Sequence, residues 1–356
     1  MGNSMLRLRV LFVNCILIII MTLYCDGDVT EEKYTTNEDI SPLEFGTETN
    51  IGILKNIESF ENLAKFAMKS RRGEFVPIED TAIYDAMVRI LQDLIDSIKD
   101  VKNAYTFLNA EGLHRIVADN FLLPHDNVRK NLLLLTKRLF EVTPTTVSFI
   151  PENVVDGLLD IFENEKNLAL KAHALDVLCL WLPKNPVIQA RVMKLKGLEP
   201  FYYQVSKLEI SVVQTLLDLF NKILKEHISA RNEKIQRTKA DLDKLRLYQR
   251  IGLLERMSTP TVCNGLLNIF EVAWNFNNNE VLITVFEIIT DIKQFCNKIY
   301  GGNIKAVELF NALLKYVRNE QNIDYLWEQN VNVTNLETVI EEYVNNTKIS
   351  SKRDEL

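Results

Sequence analysis

Glycine and proline are scarce, 12 and 9 of 356 residues, about half their usual share. With so few breakers and 47% hydrophobic residues, an all-helical body is expected rather than a β-sandwich or a loop-rich scaffold. Cysteine is lean as well. Of five, Cys15 and Cys25 lie near the start, leaving Cys179, Cys263 and Cys296 in the body with no CxxC pair. That pattern excludes a disulfide framework and a thiolate zinc site. The three body cysteines read as buried thiols, with a single Cys263–Cys296 bridge left open. The four histidines, His114, His125, His173 and His227, stand at no spacing that pairs them on a helix face as metal ligands. GxxxxGK[ST], GxGxxG and GxSxG are all missing. No metal, cofactor or catalytic residue is expected, and the function should be binding rather than turnover.

Only one long apolar run exists. Arg7 and Arg9 precede VLFVNCILIIIMTLY, residues 10–24. A basic start, a run of this length and acidic sequence directly after it make a secretory signal peptide over residues 1–27, cleaved between Tyr24 and Asp28. It is too short for a spanning helix, which needs ~20 apolar residues. The chain ends Arg353-Asp354-Glu355-Leu356, which differs from the KDEL retrieval signal by one cation for another. Together the two ends place the protein in the endoplasmic reticulum lumen, seen by the retrieval receptor and not inserted in the membrane after signal cleavage. Asn332-Val333-Thr334 and Asn345-Asn346-Thr347 are N-glycan acceptor sequons at Asn332 and Asn345. Without residues 1–27 the chain carries 39 basic and 47 acidic residues, a net of −8. Nucleic acid, whose phosphates require a basic face, is excluded as a partner.

Residues 28–77 begin with acidic, aperiodic sequence and read as a mobile arm, with a short amphipathic helix from about Ile53 to Lys69. Ordered structure is expected from near Ile78. Asp80-Thr81 would cap a helix with Ile83, Met87, Ile90, Leu91, Leu94 and Ile98 along one side. A repeat follows. VRKNLLLLTKRLFEVTP from Val128 aligns without gaps with LKAHALDVLCLWLPKNP from Leu170, 42 residues on. Leu132 meets Ala174, Leu133 meets Leu175, Leu135 meets Val177 and Leu139 meets Trp181. Another 42 residues reaches VVQTLLDLFNKILKE from Val212, and 69 more reaches VLITVFEIITDIKQF from Val281. A period near 42 is that of armadillo and HEAT units, which stack to share a core and twist into a superhelix with a long concave surface. Glu111-Gly112-Leu113 and Lys196-Gly197-Leu198 lie 85 residues apart, glycines suited to a tight turn between a short and a longer helix. The expected fold is all-α, an armadillo-like right-handed solenoid of about four repeats over residues 78–300. C-terminal helices follow over 301–352, then the tail at 353–356. A basic insertion at about 229–250 reads as a solvated helix or as a lip for a partner.

The copies VRKNLLLLTKRLF, LKAHALDVLCLW and VVQTLLDLFNKIL resemble the V-R-x-K-A-L-x-A-L-S-x-L pattern of the armadillo-type nucleotide-exchange factors of DnaK-class chaperones. DKLRLYQRIGLLERMSTPTVCNGL is similar to a region of their lumenal branch, which serves the chaperone BiP. The likeness covers roughly residues 80–350 and departs at Thr136, Asp176 and Asp218. It implies a monomer whose concave face binds one lobe of BiP's nucleotide-binding domain, in the ADP-bound or nucleotide-free state, and favours opening of the cleft. The acidic arm would be a spacer or a reach toward the chaperone's peptide-binding domain. Positions interleaved with the apolar stripe are the contact candidates. They are Arg129, Lys130, Lys137 and Arg138, then His173 and Asp176, then Asp218, Asn221, Lys222 and Lys225, then Glu287, Thr290 and Asp291. A rival is a lumenal armadillo scaffold holding extended client peptides through asparagines such as Asn131 and Asn221.

Overall fold

In the computed structural model asparagine does much of the delimiting that glycine and proline do elsewhere. The described residues are 48–74, 80–144, 151–195, 202, 205–232 and 238–351, all within one compact unit, Gly46–Leu356. The expected signal peptide, the arm before Glu48, Lys196-Gly197-Leu198 and the tail Arg353–Leu356 lie outside them. The described part is all-α. Its helices are α1 (Glu48–Arg71), α2 (Asp80–Ser97), α3 (Val101–Asn109), a π-helical turn (Leu113–Ala118), α4 (Asp126–Val142), α5 (Glu152–Asn164), α6 (Leu168–Trp181) and α7 (Pro186–Leu195). A 3₁₀ turn (Val205–Lys207) leads to α8 (Ile210–Asn232), α9 (Lys239–Ile251), α10 (Leu253–Met257), α11 (Pro260–Asn275) and α12 (Asn279–Cys296). Last come α13 (Ile304–Val317), α14 (Glu320–Glu328) and α15 (Val333–Ser351). Asn167, Asn278, Asn303 and Asn319 precede α6, α12, α13 and α14, and each side-chain oxygen accepts a first-turn N–H. Such a cap stabilises a helix by about 1 kcal/mol over alanine.

The long helices of the repeat lie side by side in chain order. Helix α2 packs on α4, α4 on α6, α6 on α8, α8 on α12 and α12 on α15. A second set backs this layer: the π-turn and α5 against α4 and α6, α11 against α12, and α13 against α15. The repeat register is visible in burial. Leu132, Ala174, Leu216 and Val285 occupy one register position and are all buried, as are Leu133, Leu175, Leu217 and Phe286 at the next. Thr136 stands where leucine is usual and is fully buried; its hydroxyl donates to the Leu132 carbonyl at 2.8 Å, which satisfies it inside its own helix.

Three expectations change. The body begins at Glu48 rather than near Ile78, because α1 is a full partner of α2. Ile53, Ile57, Phe60, Ala64 and Ala67 recur at helical spacing and are all buried, and each large one contributes roughly 1.5–3 kcal/mol. The Glu61 carboxylate adds a 2.6 Å ion pair to Arg115 in the π-turn. The amphipathic helix expected from about Ile53 to Lys69 is therefore present, longer at its start and packed into the body.

The second change concerns Gly112. The left-handed residue of that turn is Glu111, with φ of 57°, whereas Gly112 has ordinary helical angles. Glycine is required there because a Cβ would lie 2.5 Å from the buried Phe107 ring. Third, the insertion is half integrated. Tyr248 and Ile251 of α9 are buried against Met193 of α7 and Leu253, while Leu242 and the charged positions of α9 face outward.

Cysteine resolves the open pairing. Cys263 and Cys296 form a disulfide joining the start of α11 to the end of α12, and Cys179 is free.

Candidate functional site

Because α4, α6, α8 and α12 share a register, residues 42 and 69 apart stand in columns across neighbouring helices. One column runs Leu134, Asp176, Asp218, Glu287; the next runs Lys137, Cys179, Asn221, Thr290; beside it run Arg138, Leu180, Lys222 and Asp291. These positions recur every three or four residues, opposite the apolar stripe. The predicted contact residues therefore fall mostly on one row, polar except at Leu134, Cys179 and Leu180. Lys130, Lys222, Lys225 and Glu287 are exposed; Lys137, Arg138, His173, Asp176, Asp218, Thr290 and Asp291 are half-buried, and Asn221 is buried.

Polar contacts tie each helix to the next along this row. Lys137 Nζ lies 2.9 Å from Asp176 across α4 and α6. The Cys179 thiol approaches the Thr215 carbonyl at 3.7 Å between α6 and α8. Between α8 and α12, Thr284 donates to Asp218 at 2.8 Å, Asn221 to Glu287 at 2.7 Å and Lys225 to the same Glu287 oxygen at 2.5 Å. Lys293 meets Glu342 of α15 at 2.5 Å, and the Tyr343 hydroxyl donates to the Ile289 carbonyl at 3.0 Å. The two acids that depart from the family pattern, Asp176 and Asp218, are thus inter-helix ties. Exposed pairs of this kind contribute at most about 1 kcal/mol each, so the row orients side chains more than it stabilises the stack.

Charge is graded along the row. It is basic on α4 (Lys130, Lys137, Arg138), mixed on α6 and α8, and acidic on α12 (Glu287, Asp291). Burial, with help from Lys130 and Lys137, holds His173 below its ordinary value against the pull of Asp176. Burial pushes the Cys179 thiol up to about 12, so it is no nucleophile. Burial also raises Asp291, opposed by Lys225. At Glu287 burial works upward too, but the bonds from Lys225 and Asn221 win and hold it below the usual carboxylate range. Asn221 Oδ1 and Asp291 Oδ2 are buried and accept no hydrogen bond from the described residues.

Arg129 does not belong to the row. It sits one position toward the core side and pairs with Asp126 at 2.6 Å and with Glu165 ahead of α6. Its register mate Lys171 is buried and donates to the Phe162 and Glu163 carbonyls at 3.1 and 3.0 Å. Both clamp the turn that leads into α6, which is a structural task. Arg138 is engaged by Glu141 of its own helix at 3.0 Å. Thr215, Cys179 and Thr284 were missed, although applying the 42- and 69-residue offsets to every polar position would have found them.

Beyond Lys225 the row opens into a basin lined also by Glu287, Thr290, Asp291, Asn330, Asn332 and Asn335. Asn332 and Asn345, the sequon asparagines, are both exposed. Among the described residues no cluster of histidine, cysteine and carboxylate side chains could hold a metal ion, and no helix is long and apolar enough to cross a membrane.

No known protein family matches the chain, and no characterised protein is detectably similar to it. The reading of this face rests on its own residues and on the pattern carried by the repeats.

Proposed function

We propose that this protein is a nucleotide-exchange factor of the lumenal DnaK-class chaperone BiP. In this reading the layer α4, α6, α8, α12 curves as an armadillo solenoid, and the polar row is its inner wall. The wall holds one lobe of the chaperone's nucleotide-binding domain and favours the open cleft, from which ADP leaves. Such a factor needs no catalytic residue. It needs a higher affinity for the open domain than for the closed one, and a tenfold faster release corresponds to about 1.4 kcal/mol of that difference.

The observation that carries the reading is the in-register burial of four repeat helices beneath one mostly polar row. Another supports it. The Cys263–Cys296 disulfide suits an oxidising compartment, as do the signal and retrieval sequences. The rival peptide scaffold requires free asparagines along the wall. Asn131 donates instead to its own helix at the Asn127 carbonyl, and Asn221 donates to Glu287.

The test is capture of the chaperone from a lumen extract with and without ATP, followed by ADP release from the captured material. Linkage requires that a factor which weakens nucleotide binding be itself weakened by nucleotide to the same degree. ATP should therefore dissolve the complex, and the factor should accelerate ADP release. A complex indifferent to nucleotide ends this proposal.

A further inference from the structure

The sequon at Asn332 does not lie on a remote surface. Asn332 lines the same basin as Lys225, Glu287, Thr290 and Asp291, at the acidic end of the row. Its side chain already has a defined pose: Oδ1 accepts from the Asn335 N–H at 3.0 Å, capping the start of α15. That bond uses only the carbonyl oxygen, so Nδ2 remains the substituent position. Asn332 and Thr334 are both exposed, and Val333 between them is buried, which anchors the turn beneath the acceptor. Asn345 is also exposed but is not among the residues around the basin.

We propose that an N-glycan carried on Asn332 covers the α12 end of the polar row together with Lys225 of α8, and confines protein contact to the α4 and α6 side. The inference rests on the lumenal reading, since the donor is a lipid-linked pyrophosphoryl oligosaccharide. In the transfer the Nδ2–C bond forms at the anomeric carbon of the first sugar as its C–O bond breaks. The lipid pyrophosphate departs with the electron pair, and the amide nitrogen releases one proton. The attached sugar starts from a residue of the basin that Lys225 and Asp291 also line, within reach of both. The same face then exists in two forms: a fully open row in the bare chain and a shortened, predominantly basic row in the glycosylated one.

The experiment uses the full chain made in glycosylating cells, with Thr334→Ala as the main variant. That change removes the sequon while leaving the Asn332 cap on α15 intact; N332Q and N345Q accompany it. Glycopeptide mass spectrometry reads occupancy, and an amine-acetylating reagent applied to the native protein reads exposure of Lys225, with Lys130 at the far end of the row as internal control. The expected result is an occupied Asn332 and Lys225 labelling several-fold slower in the wild type than in T334A and N332Q. N345Q should behave as wild type and Lys130 should be the same in all. A bare Asn332 in a chain whose signal has been cleaved overturns the proposal, and so does a glycosylated Asn332 with Lys225 labelled as fast as in T334A. An uncleaved, unglycosylated chain overturns the lumenal reading along with it. Failure of the chaperone reading would appear only in the ADP-release assay, not in the labelling.

Discussion

Replacing Cys263 and Cys296 by alanine opens the link between the start of α11 and the end of α12. The two residues are 33 apart in sequence, and both are fully buried. In the chain-entropy treatment a closed loop of that length constrains the unfolded chain by about 3.7 kcal/mol at 25 °C. With an unfolding entropy of ~2.1 cal/mol/K per residue over about 300 ordered residues, the melting temperature should fall by ~6 °C. The loss should be local. The bridge joins α11 to α12, α12 packs on α15 and α15 on α13, so these four helices should exchange amide hydrogens faster while α2 to α6 are little changed. The Tyr300 hydroxyl, which donates to the Cys263 carbonyl at 2.9 Å, remains as a second tie and keeps the local fold in place. Thermal melts followed by circular dichroism, with hydrogen exchange read by mass spectrometry, measure both effects. Wild-type protein under reductant separates the bridge from the packing of the sulfur atoms and should show most of the shift. An unchanged melting temperature, or alkylation of both cysteines in the unfolded and unreduced chain, refutes the reasoning.

Two further outcomes are expected. Gly112→Ala should destabilise by about 1–3 kcal/mol, since the buried Phe107 ring must shift to admit a methyl group. Gly52→Ala in α1, whose Cβ would meet nothing within 4 Å, should be neutral or stabilising by up to about 1 kcal/mol; urea denaturation compares the two. His227 is buried between Gln189 of α7, 2.9 Å away, and the Tyr248 ring of α9, and burial takes it down to about 4 against the opposing pull of Glu255 in α10. Between that value and the ordinary 6.5 the unfolded chain binds the extra proton. Stability should therefore fall as pH drops through this window, by about 3 kcal/mol in total, and His227→Gln should flatten the slope.

Much of the fold was legible because repetition amplifies a weak signal. A single leucine pattern fits many helices, but Leu132, Ala174, Leu216 and Val285 returning at fixed offsets fit only elements that bury the same side. What failed did so for local reasons. The helix over Ile53, Ile57 and Phe60 was expected, but it was assigned to the arm rather than to the body, because no neighbour for its apolar side can be read from the segment alone. Gly112 was assigned to a tight turn, yet Glu111 takes the left-handed conformation there and the glycine answers to a ring from the preceding helix. Arg129 looked like a surface cation because it is charged and near the row, whereas one position around a helix moves a side chain by about 100° and puts it over the next turn.

By itself the sequence determined the helical class, the repeat and the side of each repeat helix that is polar, because these depend on periodicity within a segment. The expectations of a signal, glycan acceptors and a retrieval tail also came from the sequence, as short strings. Only the tertiary structure decided which polar residues are tied to one another, which acceptors are left unmet, that Cys263 meets Cys296, and that Asn332 stands beside Lys225. Those facts join residues between 33 and 107 positions apart, and spacing along a chain says nothing about such neighbours until the helices between them have packed.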